Sequence, residues 1–180
     1  MAQKEIKVAL IGNPNTGKTS VFNQLTGLHQ QVGNYPGITV EKKIGICKLS
    51  EDVKATIIDL PGTYSLNASS IDENVVIELL MNRNDENFPD VVVVVTEVEN
   101  LKRNLLLFTQ IKDLEIPTIL VINMADRMAR KGISLDISYL EEHLKTKIAL
   151  ISSRKGHGIE ELKNLIVGYK NISSEPCLNA

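Results

Sequence analysis

Residues Gly12-Asn13-Pro14-Asn15-Thr16-Gly17-Lys18-Thr19 spell G-x-x-x-x-G-K-[ST] directly behind the apolar run Ile6–Ile11, and few folds can accommodate that string. A buried strand must end there, turn sharply and open a helix whose free N–H groups point at an anion. Gly12 and Gly17 allow backbone geometry that a Cβ would obstruct. The amides of Asn15 to Thr19 then line a concave site at a helix N-terminus, where the dipole favours negative charge. Lys18 would reach β- and γ-phosphates, and the Thr19 hydroxyl would ligate Mg²⁺. The bland alternative is a glycine-rich turn ahead of a helix. A chance match to all four fixed positions in a chain this short has odds of roughly one in a hundred. The cradle and its flank therefore comprise Gly12, Asn13, Asn15, Thr16, Gly17, Lys18, Thr19 and Ser20.

The rest of the chain alternates strand and helix patterns. Apolar runs predict strands over Ile6–Ile11, Ala55–Asp59, Val91–Val95, Thr118–Ile122 and Ile148–Ile151, with a looser, edge-like alternation over Val40–Leu49. Helical spacing predicts helices over Lys18–Thr26, Asn74–Met81, Leu101–Leu114, Asp136–Leu144 and Ile159–Tyr169. Leu28–Ile38 and Leu60–Ser70, rich in Gly, Pro, Asn and Ser, read as loops. This order predicts an α/β protein with a mostly parallel sheet covered by helices on both faces. Ligands of such sheets sit beyond the carboxyl ends of the strands.

With 180 residues, the chain has the length of one domain; residues 1–170 are expected to form it and 171–180 a flexible polar tail. A net charge of −2 offers no electrostatic footprint for nucleic acid. Cys47 and Cys177 lie far apart, which suits a reduced cytosolic protein, with Cys47 on an edge strand. No apolar stretch approaches a bilayer span, and Met1–Glu5 has no signal core, so the chain reads as soluble. His29, His143 and His157 show no metal-ligand spacing.

Further motifs fall at strand ends. In Asp59-Leu60-Pro61-Gly62 the Asp can hold Mg²⁺ through a water, and the Gly62 N–H can approach a γ-phosphate; the same four residues would also serve as a Pro-Gly turn with a capping Asp. Asn123-Met124-Ala125-Asp126 has N-x-x-D spacing. An ionised Asp126 can accept from guanine N1 and N2, donors that adenine lacks, while helix capping is the competing role for Asn123 and Asp126. Met124 stands where a Lys often covers the base, so apolar cover replaces cation–π contact. In Ser152-Ser153-Arg154-Lys155-Gly156, amides near Ser153 could donate to guanine O6. In Pro36-Gly37-Ile38-Thr39, Thr39 is placed to give Mg²⁺ a second hydroxyl, its loop reporting the nucleotide state.

These five motifs, in this order, resemble the small GTPases of the translation-factor type over residues 5–169. Three longer strings are more specific: Gly12–Thr19, Val32-Gly33-Asn34-Tyr35-Pro36-Gly37-Ile38-Thr39-Val40-Glu41, and Asp59-Leu60-Pro61-Gly62-Thr63-Tyr64-Ser65-Leu66. With Asn100-Leu101-Lys102-Arg103-Asn104-Leu105 they resemble the N-terminal G domain of the ferrous iron transport protein B (FeoB) family, potassium-activated GTPases of the TRAFAC class. The resemblance implies a Ras-like P-loop NTPase fold with a six-stranded sheet, its Val40–Leu49 strand antiparallel at one side. It also implies a GTP/GDP- and Mg²⁺-dependent regulatory domain of a bacterial Fe²⁺ transporter at the cytoplasmic face of the inner membrane. A C-terminal helical spacer and a transmembrane domain, absent from this chain, would follow, with self-association as a further partnership. Thr63 occupies the position of the water-orienting Gln of many GTPases, which predicts slow intrinsic hydrolysis. By the resemblance, Asn15 would help hold K⁺ against the phosphates, with backbone around Gly33–Tyr35 as further ligands, and Asn15, Lys18, Thr39 and Gly62 would carry the reaction. A stand-alone K⁺-dependent GTPase of ribosome assembly or tRNA modification is the alternative. Thr96-Glu97-Val98-Glu99 departs from the family's usual Asp-Ala-Thr wording.

Overall fold

The computed structural model describes residues 4–27, 29–67 and 69–177. The N-terminal Met1 to Gln3, Leu28 and Ala68 in the two expected loops, and Leu178 to Ala180 of the expected tail lie outside the described residues. A seven-stranded sheet runs in the order β2-β3-β4-β1-β5-β6-β7. Its strands are β1 (Lys4–Gly12), β2 (Gln30–Asn34), β3 (Glu41–Lys48), β4 (Val53–Asp59), β5 (Val91–Glu97), β6 (Thr118–Asn123) and β7 (Lys147–Leu150). The pairs β4-β1-β5-β6-β7 are parallel, whereas β2-β3 and β3-β4 are antiparallel.

Alternation along the central strands builds two cores. Ile6, Val8 and Leu10 of β1 join Val91, Val93 and Val95 on one face, against Val21, Phe22 and Leu25 of α1 (Lys18–Thr26) and Leu162 and Ile166 of α6 (Ile159–Val167). Ala9, Ile11, Val92 and Val94 face the other side. There they meet Val76 and Leu80 of α2 (Ile71–Met81), Leu107, Phe108 and Ile111 of α3 (Leu101–Lys112), and Leu144 of α5 (Ile137–Leu144). All five valines of β5 are fully buried, as an uninterrupted apolar run in a doubly covered strand requires.

The sheet has one strand more than the six expected. Gln30–Asn34, read as loop from the sequence, pairs antiparallel with β3 from Gln30↔Gly45 to Asn34↔Glu41. Four of its five residues are exposed, so main-chain pairing without buried side chains holds it, and no hydrophobic pattern announces it. The edge is consequently β2, not the Val40–Leu49 segment. Cys47 is buried against α1 and α6 rather than at an edge, and burial pushes its thiol pKa up.

Helix ends follow capping chemistry. α2 begins three residues before the expected Asn74, because the Ser70 hydroxyl accepts the Glu73 N–H at 3.1 Å. Asp136 caps α5 by accepting from the Tyr139 N–H at 3.0 Å. A one-turn helix, α4 (Met128–Lys131), follows the Asn123–Asp126 motif. Beyond α6, Ile172 is buried, and the wholly buried Lys112 ammonium donates to Lys145 O at 2.7 Å and Ser173 O at 3.0 Å. Lys145 pairs with Glu175 at 2.7 Å. The start of the expected tail thus lies against α3 and α5. No helix among the described residues is long and apolar enough to cross a membrane.

Candidate functional site

β1 delivers the chain to the carboxyl edge of the sheet at Gly12, where a Cβ would stand 2.7 Å from Val95 O. Asn15 and Gly17 both take positive φ, 69° and 82°. At Gly17 a Cβ would collide with the Asn123 amide, so only glycine fits this crossing. Gly17 is also the N-cap of α1; it offers no capping side chain, and the first turn holds no acidic residue. The first N–H groups of α1 are thereby left for an external acceptor. The Thr16 hydroxyl closes the loop on Asn13 O at 2.9 Å. Asn13 is buried, and its Oδ1 has no hydrogen-bond partner among the described residues.

Lys18 stands in the first turn of α1 and reaches β4, where its ammonium donates to Asp59 Oδ1 and, at 2.7 Å, to Leu60 O. Both side chains are largely buried, so each neutralises the other. Lys18, Asp59 and Thr39 line one open cavity of about 300 Å³. The Thr63 N–H donates to Gly12 O at 3.0 Å, and a Cβ on Gly62 would lie 3.3 Å from Pro14. The Asp59–Thr63 loop therefore folds directly over the cradle. The first loop approaches from the other side: burial and the Asp59 charge push the Tyr35 hydroxyl up to about 12. Thr19 and Ser20 follow Lys18 at the head of α1, Thr19 exposed and Ser20 half-buried. Gly37 takes φ 76° in an open turn and does not line the cavity with Thr39. Asn15 is exposed and lines a separate cavity of about 130 Å³ with Asn13, Tyr64 and Arg103.

β6 and β7 supply a second, more enclosed cavity of about 180 Å³. Asn123 is buried at the end of β6; its Nδ2 donates to Thr16 O and to Ser153 Oγ, both at 3.0 Å. Its Oδ1 accepts from the Ser153 N–H, also at 3.0 Å. Met124 then takes φ 62°, and Asp126 follows with its Oδ1 accepting from the Ser152 hydroxyl at 2.8 Å. That hydrogen bond is the main cause holding the Asp126 carboxyl below the usual carboxylate range; burial opposes it, and the Lys155 and Arg130 charges assist. Gly17, Ser20, Asn123, Met124, Asp126, Ser152, Ser153 and Arg154 all line this cavity, so the motifs read separately from sequence converge on one chamber. Arg127 and Arg130 line it too and escaped the sequence reading. Arg127 ends a single 3-10 turn and Arg130 lies in the one-turn α4, segments without a repeat that would disclose their facing.

Thr96-Glu97-Val98-Glu99 serves the scaffold. The Thr96 hydroxyl donates to Val121 O at 2.7 Å, and the buried Glu97 carboxylate accepts from the Asn100 amide and caps the turn into α3.

Residues 6–166 match the family described as ferrous iron transport protein B. A relative from Leptospira biflexa, the Fe(2+) transporter FeoB, is 43% identical over 91% of this chain and 23% of its own length. The Escherichia coli K12 Fe(2+) transporter FeoB is 40% identical over 93% and 22%. The chain thus spans less than a quarter of the curated relatives it matches. The G domain of T. maritima FeoB superposes with a TM-score of 0.83 at 40% identity, covering 93% of this chain and 99% of that one. The GDP form I of the T. maritima FeoB cytosolic domain gives 0.88 at 39% identity, covering 99% and 68%.

Proposed function

The chain belongs to the ferrous iron transport protein B family, and from that membership and the site geometry we propose that it binds GTP and GDP and hydrolyses GTP to GDP and phosphate. The observation that carries this reading is the Asn123 hydrogen bond to Thr16 O, which ties the enclosed cavity to the phosphate loop so that one ligand can occupy both. The T. maritima FeoB cytosolic domain, solved in a GDP form, supports the choice of guanine.

In this reading the base enters the cavity between Met124 and Arg154, and its N1 and N2 donors meet the Asp126 carboxylate. A base without those donors would leave a charge facing no partner. The amides of Asn15 to Thr19 take the phosphates, and Lys18 exchanges Asp59 and Leu60 O for phosphate oxygens. Thr19, Thr39 and, through water, Asp59 are all oxygen donors, as a Mg²⁺ site demands. That ion would neutralise charge developing on the phosphates. Water attacks the γ-phosphorus as the bond to the β–γ bridging oxygen breaks, and GDP departs. Thr63 has no amide or carboxylate to orient that water, so turnover by these residues alone is slow. Asn15 supplies an amide oxygen at the cradle rim, suited to K⁺, whose charge would then speed the step.

We further assign the chain to the cytoplasmic side of a larger Fe²⁺-transporting polypeptide, where a helical spacer and a membrane domain follow its C-terminus. Titration with GDP, GTP and ATP, followed by single-turnover hydrolysis in K⁺ and in Na⁺, tests the site. Guanine nucleotides should bind and ATP should not, with faster hydrolysis in K⁺. Equal affinity for ATP would overturn the base assignment.

A further inference from the structure

α3 carries two side chains that the proposed reaction leaves unused. Arg103 and Gln110 stand seven residues apart, two turns along one helix face. The Gln110 Oε1 accepts the Leu66 N–H at 2.8 Å. The Arg103 guanidinium lies 5.4 Å from the centroid of the Tyr64 ring, within cation–π range, and makes no ion pair among the described residues. Tyr64 is half-exposed, so this ring has little else to hold it. Both contacts fall on the segment leaving Asp59-Leu60-Pro61-Gly62, whose near end is tied by the Thr63 N–H to Gly12 O.

We propose that Arg103 and Gln110 are positioning residues that hold Thr63–Leu66 on α3, in the arrangement where the Thr63 amide is committed to Gly12 O. Three tethers within four residues, on Thr63, Tyr64 and Leu66, make the segment's placement a single equilibrium. Movement of Gly62 and Thr63 toward a γ-phosphate must break the Gly12 contact, and the α3 tethers oppose it. GDP makes no such demand, so the tethers bias the site toward GDP. The inference rests on the guanine-nucleotide reading above.

The test compares wild type with Gln110→Ala, Gln110→Glu, Arg103→Ala and Arg103→Lys. Amide hydrogen exchange at Leu66 and Thr63 is measured without nucleotide, and GTP and GDP affinities by titration. Gln110→Ala should speed Leu66 exchange and raise the GTP:GDP affinity ratio about fivefold, the worth of one net hydrogen bond. Gln110→Glu keeps an acceptor oxygen and should restore both. Arg103→Ala should act in the same direction, with Arg103→Lys intermediate because a point charge stacks less well on the ring. A lowered melting temperature with an unchanged ratio would make these residues merely structural and overturn the proposal, as would unaltered exchange at Leu66. If wild type binds no guanine nucleotide, the site reading fails, while faster exchange in the alanine variants would still establish the tether.

Discussion

Asn123 and Ser153 exchange two hydrogen bonds of 3.0 Å, amide nitrogen to hydroxyl in one direction and backbone N–H to amide oxygen in the other. This reciprocal pair joins the ends of β6 and β7, and the second Asn123 donor bond reaches Thr16 O in the phosphate loop. One buried side chain thus fixes three segments that approach from different strands. Replacement with alanine leaves the Ser153 N–H and Thr16 O without their partner in a site closed to water. Asn123→Ala should therefore lose about 3 kcal/mol of stability as well as nucleotide affinity. Urea unfolding measured without nucleotide separates the two losses. A change in affinity alone would mean that the network is not structural.

Asp126 offers a test of base identity. Its carboxylate accepts from Ser152, and an amide in its place would turn one oxygen into a donor. Asp126→Asn should weaken GDP binding by at least about tenfold, and binding of xanthosine diphosphate, which presents a carbonyl at position 2, should improve. Competition titration with both nucleotides decides it.

The same carboxylate gives a pH dependence of known sign. Its pKa is depressed in the folded chain, chiefly by the Ser152 hydroxyl, so the ionised form is the one the site stabilises. Its contribution is present above the ordinary Asp value and disappears only as pH falls through the lower folded value. GDP affinity should therefore stay flat with respect to this group down to the ordinary Asp value of about 3.9, and fall only at pH below it. Ser152→Ala should move the fall upward. A profile unchanged by that substitution counts against the assigned cause.

Asn15 sits at positive φ on the exposed rim of the cradle, away from the Lys18–Asp59 pair. Asn15→Ala should retain GDP binding and remove K⁺ stimulation of hydrolysis. Undiminished stimulation in the variant would eliminate Asn15 as a ligand.

Lys112 is the test of how the chain end is held. Its ammonium is fully buried and satisfies Lys145 O and Ser173 O, and burial is the main cause pulling its pKa down. Lys112→Met keeps the aliphatic volume but strands both carbonyls, at a cost of about 2 kcal/mol. Limited proteolysis should then cut within residues 171–177 sooner than in wild type.

What could be read in advance follows from where each element's free energy resides. The five valines of β5 are legible because burial on both faces demands apolar side chains in succession. The cradle is legible because Gly12 and Gly17 stand where a Cβ has no room. β2 is not legible, since its order comes from backbone bonds to β3 that any sequence can make. The start of α2 is written in Ser70-Ile71-Asp72-Glu73, a capping signal that apolar spacing does not carry. Lys112 reads in sequence as an ordinary charge in the last turn of α3; only the return of the chain past α6 buries it. Arg127 and Arg130 line the base cavity from a 3-10 turn and from the one-turn α4 that follows it, both too brief to leave a periodic trace.

α3 touches the loop behind Gly62 through Arg103 near its start and Gln110 near its end, and grips the segment beyond α6 through Lys112. Nine steps of helix, about 14 Å, separate Arg103 from Lys112. Leu107, Phe108 and Ile111 seat the intervening turns in the core without exposed area, so the rod has no place to bend. One buried helix thus serves both the loop over the phosphate cradle and the segment that follows α6.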